Sequence, residues 1–299
     1  MRQEQPVDPA QSLSARFADF RRTHPARHLQ IAGIDWTYLT AGKGRDCIVL
    51  LHGAGGTGEM YFDYLLDFEA DHLALAPSLP PEIDTTPAAL QGIVAILDAQ
   101  GIATCHVFGH SQGGFLAQEF APHYPDRVRT LMLSGTALPR ASHLRKLERQ
   151  SRFLRFIPDS LLAKSIRYAL RRAIRSSAQS LSTEQRRFLL DDLVVLPPGT
   201  ALRRALHSTA ALQMEFHRQI LGEEVWRGPV LLFETDRDAF ISQQEFATLR
   251  RRYPQAEIQR FENADHLSVV ADPPRYINAI RRFLSKHEME SASPAAAHR

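Results

Sequence analysis

Ser111 stands in the run Gly109-His110-Ser111-Gln112-Gly113, and a further glycine, Gly114, follows at once. The pattern G-x-S-x-G carries a serine hydroxyl on a sharp turn between a strand and a helix. The flanking residues fit that context, with the apolar run "CHVF" before the turn and the helical pattern "GGFLAQEFAPHY" after it. Positions two before and two after the serine face the neighbouring strand and helix, so only small residues fit there. The helix start directs its N–H groups and positive dipole end at the serine, where negative charge would develop on attack at a carbonyl. The same five residues are also compatible with a plain flexible turn, so the other groups that such chemistry needs must decide.

A serine hydroxyl becomes a good nucleophile when a base takes its proton, and the base works best when a carboxylate orients it. On sheets that carry this turn the partners follow in the order Ser, acid, His. His266, in "FENADHLSVVADPP", is the histidine that follows the last expected strand. His110 adjoins the serine, but its side chain is expected to point away from it. His123, His143, His207, His217 and His287 fall on helical patterns, where surface or packing roles are expected. Asp238, in the loop after "LLFET", is the favoured acid, with Asp236 and Asp265 as rivals. Asp236 lies nearer the strand end, where a loop aspartate ordinarily caps the turn. Asp265 is the immediate neighbour of His266, and sequence neighbours seldom face each other across a hydrogen bond. The other position from which an acid could come, after the preceding strand, reads "LSGTA" and holds no carboxylate.

An oxyanion needs backbone donors in place before the reaction starts, worth about 3–4 kcal/mol each. "LHGAGGTG", residues 51–58, follows a strand and is rich in glycine, so the expected donors are the N–H of Ala54 and the N–H of Gln112. A phosphate loop is excluded, because no Lys-Ser/Thr follows these glycines. The stretch also contains G-x-G-x-x-G, yet "HLALAPSLP", about 20 residues on, has no acid for a ribose.

The elements that must position these groups read as an alternation. "HLQIAGIDWTYLTAGKG" reads as two strands with a turn at Gly33, and "DCIVLLHG" as a strand buried on both faces. "HLALAPS", "TCHVFGHS", "RVRTLMLSGT", "GPVLLFETD" and "AEIQRFEN" follow, with helical patterns between most of them. That order predicts an α/β fold, with a mostly parallel sheet and helices on both faces. From residue 140 to 222 only helical periodicity is seen. The organisation read from the chain is an N-terminal extension (1–27), a core in two parts (28–139 and 223–288), a helical insertion (140–222) and a disordered tail (289–299).

The insertion is strongly basic. From Arg140 to Arg218 there are sixteen Lys/Arg and six Asp/Glu, so this stretch carries +10 and the rest of the +3 chain carries −7. In "SLLAKSIRYALRRAIRSS", Leu162, Ile166, Ala169, Leu170 and Ile174 share one face, and Arg167, Arg171, Arg172 and Arg175 lie on or near the other. Such a face reads either as the solvated side of an ordinary amphipathic helix or as one that attracts acidic substrates or an anionic membrane surface. It is a poor match for nucleic acid, because exposed aromatics are not expected among the arginines. No run approaches the roughly 18 apolar residues of a membrane span. With no apolar leader region at the N-terminus and two cysteines, Cys47 and Cys105, outside any metal or redox spacing, a cytoplasmic protein is expected.

The elbow "GHSQGG", the glycine-rich "LHGAGG", the acid loop "TDRDAF" and the segment "NADHLSVVADPP", in this order, resemble the α/β-hydrolase family over residues of about 28–287. The resemblance implies a Ser111, Asp238, His266 triad, an eight-stranded sheet and a lid formed by the insertion. It implies a serine hydrolase acting on a small-molecule carboxylic ester or a thioester, with no metal or organic cofactor. Serine at 111 argues against the epoxide-hydrolase and dehalogenase branches, whose nucleophile is an aspartate, and is compatible with carbon–carbon bond hydrolysis. "GTGEMYFDYLL", "GGFLAQEFA" and "YPQAE" are similar to the maspardin branch, whose members can lack a complete triad; a non-catalytic binding protein on this scaffold is the alternative from another class. Where many members carry an Asp and a Gly-rich turn after the fourth strand, this chain has "APSLPPE", so a re-routed loop is expected there.

Overall fold

The computed structural model describes residues 11–154, 156–176, 181–193, 196, 199–218 and 225–292. Eight strands form one sheet: β1 (Arg27–Ile31), β2 (Ile34–Ala41), β3 (Cys47–Leu51), β4 (Leu73–Ser78), β5 (Cys105–His110), β6 (Val128–Ser134), β7 (Val230–Thr235) and β8 (Glu257–Phe261). The spatial order is β1-β2-β4-β3-β5-β6-β7-β8. Only β1–β2 and β2–β4 are antiparallel; the rest of the sheet is parallel. The C-terminal ends of β3, β5, β6, β7 and β8 therefore share one edge, where ligands bind in open α/β sheets.

The apolar runs are buried because alternate residues of each central strand feed two separate cores. Val49, Leu51, Val107, Leu131 and Leu232 face a layer made by α3 (Thr86–Ala99), α4 (Gln112–His123) and α9 (Gln243–Arg252). Ile48, Leu50, Phe108, Met132 and Phe233 face the opposite layer, made by α1 (Leu13–Thr23), α2 (Phe62–Phe68) and α11 (Pro273–Ala292). Cys47 and Cys105 are buried and unpaired. α9 opens with a capping box at Ser242 and Glu245.

Within the expected N-terminal extension, α1 packs on the core. Phe17 and Phe20 lie one turn apart and are almost wholly buried. The ring of Phe17 meets those of Phe62 and Phe188 at 5.3 Å. Arg16 and Arg21 pair with Asp63 and Glu59. The arginines around the two phenylalanines hid a one-sided helix, because its apolar stripe is only two residues wide.

Between β6 and β7 the described residues form only helices: α5 (Ala141–Leu154), α6 (Asp159–Ser176), α7 (Thr183–Phe188), a π-helical turn (Leu189–Leu193) and α8 (Gly199–Arg218). α7 opens with a capping box at Ser182, with Gln185 reciprocating. α8 reaches back to the core through Leu212. The short α10 (Ser268–Ala271) precedes α11, and α11 runs through residues 289–292 of the expected tail; residues 293–299 lie outside the described residues.

Buried histidines make this fold acid-sensitive. Burial lowers His106 from the usual 6.5 to about 4, helped by Arg129, and burial lowers His217 to about 4, helped by His143. As pH falls below 6.5 the unfolded chain takes up protons that the native chain refuses, so stability present above 6.5 is lost down to about pH 4. The slope is about 1.4 kcal/mol per pH unit for each group. Urea unfolding should therefore show a loss of at least about 4 kcal/mol between about pH 7.5 and about pH 5, and replacing both residues with Gln should reduce that loss, leaving the share of His52 and His110, which burial also keeps neutral. An unchanged slope in the double variant would assign the acid sensitivity elsewhere.

Candidate active site

β5 ends at His110 and α4 begins at Gln112, so Ser111 alone makes the turn. Its backbone has φ 54° and ψ −117°, a strained conformation for a non-glycine residue. The neighbouring glycines leave no room for a side chain. A Cβ on Gly109 would lie 2.4 Å from the Gly113 carbonyl oxygen, and one on Gly113 would lie 2.1 Å from the Leu51 carbonyl oxygen. The elbow is thus pressed against the end of β3. The Ser111 N–H is tied to the Ser134 carbonyl at 2.9 Å, which fixes the turn against β6.

The loop after β3 passes directly beside the serine: a Cβ on Gly53 would lie 3.2 Å from the Ser111 Cβ. Gly55 takes φ 71°, and the Gly56 N–H closes a turn on the Gly53 carbonyl at 3.1 Å. Ala54 stands exposed in that turn, and Gln112 is the first residue of α4, whose leading N–H groups have no intrahelical acceptor.

His52, which the sequence reading passed over, holds this loop. Its Nδ1 donates to the Gly53 carbonyl at 2.8 Å, and its Nε2 accepts from the Leu79 N–H at 3.0 Å. The second bond requires an unprotonated Nε2, so His52 is the neutral Nδ1–H tautomer; burial lowers its pKa in the same direction. The Tyr61 hydroxyl adds a bond to the Leu51 carbonyl at 3.0 Å. The "APSLPPE" loop is the partner that His52 requires. Arg204 of α8 pairs with Glu82 at 3.0 Å, and the Thr86 N–H donates to Glu215 at 2.5 Å, so the same loop is tied to the inserted helices. The only sequence signal was the position of His52 at the strand end, since its acceptor and donor lie in two different loops.

His266 and the aspartates sort clearly. His266 Nδ1 lies 2.8 Å from Asp238 Oδ2, and the Asp238 side chain is wholly enclosed. The other oxygen, Oδ1, accepts from the N–H groups of Phe240 and Ile241 at 2.8 and 2.9 Å. Asp238 is therefore fixed in orientation and presents one oxygen to the imidazole. Asp236 instead accepts from the Ala264 N–H at 2.9 Å, the turn role expected of it, and Asp265 accepts from the Leu267 N–H at 2.9 Å. Nδ1 faces the carboxylate, so Nε2 is the nitrogen of His266 on the side away from Asp238.

His110 departs in part from expectation. It turns from the serine toward Ser134, with Nδ1 3.2 Å from Oγ, but its ring lies 4.7 Å from that of His266. Burial, with His266 beside it, holds it neutral. Gly135 has φ 53°, and a Cβ there would lie 2.7 Å from His110 Cε1 and 3.0 Å from His266 Cε1. The "LSGTA" segment, read only for its missing carboxylate, is what leaves space for both rings.

Behind the elbow lies a narrow cavity of about 20 Å³ walled by Trp36, His52, Leu79, Ile93, Gln112 and Leu116. A second, about 10 Å³, lies between α4 and α8 beside Phe115, Leu212 and Phe216. Gln112 borders both; it is buried, and neither atom of its amide has a hydrogen-bond partner among the described residues. Phe153 and Phe156, at the end of α5 and in the turn after it, border neither cavity and are 66% and 71% exposed.

Comparison with known proteins agrees with this architecture. The chain is 26% identical over 202 residues to the mouse (Mus musculus) sn-1-specific diacylglycerol lipase ABHD11, a match covering 65% of this chain and 64% of the lipase. It is 25% identical over 260 residues to the dihydrolipoyllysine-residue acetyltransferase component of the acetoin cleaving system of Pseudomonas putida, covering 82% of this chain and 65% of that protein. The chain thus spans just under two thirds of the length of both curated relatives. Among solved structures, a thermophilic esterase from Thermogutta terrifontis superimposes with a TM-score of 0.65 at 19% identity, covering 88% of this chain and 98% of the esterase. An epoxide hydrolase from Bacillus megaterium gives 0.69 at 16%, covering 87% and 100%. These two likenesses speak to fold alone. Residues 48–279 match the sequence profile of the alpha/beta hydrolase family, and the chain belongs to that family.

Proposed function

We propose that this chain is a serine hydrolase that cleaves a carboxylic ester, or a thioester, through an acyl-enzyme. The observation that carries the reading is the enclosed Asp238 held 2.8 Å from His266 Nδ1, at the sheet edge where Ser111 sits on its strained turn. Asp238 orients the ring and stabilises the imidazolium that forms. His266 Nε2 takes the Ser111 proton as Oγ adds to the substrate carbonyl carbon. The N–H groups of Ala54 and Gln112 receive the oxyanion. Collapse breaks the bond to the alcohol or thiol, which leaves with the proton from His266. Water, activated by the same nitrogen, then releases the acid and restores Ser111. The net reaction consumes one water and yields an acid and an alcohol or thiol. The serine nucleophile separates this reading from the epoxide hydrolases that share the fold.

Rapid mixing with the p-nitrophenyl ester of a short acid tests it. The expected result is hydrolysis with an acyl group trapped on Ser111 after acid quench, seen by intact mass and peptide mapping. Absence of turnover with p-nitrophenyl esters and with acyl thioesters would contradict the reading and favour a binding role on the same scaffold.

A further inference from the structure

Six large apolar side chains are strongly exposed among the described residues, and four of them, Phe153, Phe156, Leu161 and Tyr168, fall within sixteen positions of one another. Their exposures run from 52% to 71%. They occupy the end of α5, the turn that follows and α6 as far as its middle; the Phe156 N–H closes that turn on the Phe153 carbonyl at 3.1 Å. Single exposed apolar residues need no explanation, whereas a concentration of them marks an interaction surface.

The residues around them set the partner's chemistry. On α6, Leu161, Lys164, Tyr168, Arg171, Arg172 and Arg175 are all exposed, and their spacing of three or four places them along one stripe of the helix. Leu162 and Ile174, on the other side, are buried toward the body of the protein. No carboxylate interrupts the stripe: the helix has one acid, Asp159, and it pairs with Arg203 of α8 at 2.6 Å. From Arg140 to Ser176 the chain carries eleven Lys/Arg against Glu148 and Asp159. A stripe of cations with leucine and tyrosine set within it, beside two exposed phenylalanines, is the composition of a helix that lies in a lipid headgroup layer.

We propose that the exposed face of α6, with the Phe153–Phe156 corner, docks this protein on an anionic lipid surface. The α6 cations meet the headgroup phosphates and carboxylates, and Phe153, Phe156, Leu161 and Tyr168 enter the headgroup–acyl boundary. A nucleic-acid duplex would use the cations but leave the two phenylalanines and the leucine in water, and a single strand, which can stack bases on the aromatics, would still leave Leu161 unused, so a lipid surface is the partner that takes the whole set. The docking is independent of whether Ser111 turns over an ester.

Co-sedimentation of the full chain with vesicles tests the proposal. Vesicles with about 30% phosphatidylserine in phosphatidylcholine should retain the protein at about 50 mM salt, neutral phosphatidylcholine vesicles should retain much less, and about 500 mM salt should weaken the retention severalfold. Reversing Arg171, Arg172 and Arg175 to Glu should lower the bound fraction at least tenfold. Phe156→Trp should shift its emission to the blue on the anionic vesicles, and Phe153→Ser with Phe156→Ser should reduce binding while the cations remain. All these side chains are exposed, and thermal melts check that each variant stays folded. No retention by the anionic vesicles, equal retention by neutral vesicles, unchanged binding in the Glu variant, or no blue shift in Phe156→Trp would each overturn the proposal. Tight binding of a single-stranded oligonucleotide without vesicle binding would overturn it in favour of nucleic acid.

Discussion

Ser111→Ala is expected to lower ester kcat by about 10⁴-fold or more with little change in KM, and to leave the melting midpoint unaltered. The change removes one oxygen. It keeps the Cβ, the Gly53 contact and the bond from the residue 111 N–H to Ser134. What remains is an oxyanion site and a bound substrate, with only water to attack. His266→Ala should cost about as much, and the double variant little more than either, because residues acting as one nucleophilic unit are strongly non-additive. Steady-state kinetics on the three variants, with thermal melts alongside, check this. Losses that multiply in the double variant would mean that Ser111 and His266 work separately.

The second large effect is on folding. Gly113→Ala would place a methyl group 2.1 Å from the Leu51 carbonyl oxygen and 2.7 Å from that of His52. Neither neighbour is a flexible side-chain tip; both are backbone of the strand end that leads into the 53–58 loop. β3 or the start of α4 must shift, so a loss of about 3 kcal/mol or more is expected, with turnover falling as the two backbone donors move apart. Gly101→Ala is the contrast. It takes a positive φ, 66°, which Gly113 in α4 does not, but a Cβ there meets nothing within 4 Å, so only the left-handed strain of about 1–2 kcal/mol applies. Urea unfolding of the two variants separates steric packing at the elbow from backbone preference. No loss in Gly113→Ala would show that the close contact with β3 carries no weight, because alanine is otherwise the better helix former.

Much of this architecture was readable because the central strands are buried on both faces. "CIVLL" and "VLLFET" are continuous apolar runs, and a run buried on two sides has few other places to go. The alternation with helices then set a parallel sheet and brought the residues after β3, β5, β7 and β8 to one edge. Asp238 was separable from Asp236 and Asp265 only by weak local rules, and geometry gave the physical reason. Asp236 and Asp265 each turn Oδ1 to a nearby backbone N–H, whereas Asp238 also turns Oδ2 to His266.

What escaped the sequence were contacts between segments far apart in the chain. His52 is held by an N–H that lies 27 residues away. α1 reaches the body through two phenylalanines set among arginines, a stripe too narrow to stand out by periodicity. His110 points away from the serine as expected, yet the close approach allowed by Gly135 brings it against His266. Phe153 and Phe156 look like any apolar pair until their exposure is known. Each case turns on what a side chain meets across the fold, which helical or strand spacing does not encode.

The central claim is that Ser111 is an activated nucleophile. Labelling with a fluorescent fluorophosphonate tests it most directly, with wild type beside Ser111→Ala, His266→Ala and Asp238→Asn. The prediction is a stable adduct on Ser111 in the wild type, none in Ser111→Ala, and labelling slowed by about 10³-fold or more in the His266 and Asp238 variants. A folded wild type that takes no label, or that labels at the same rate without His266, would contradict it.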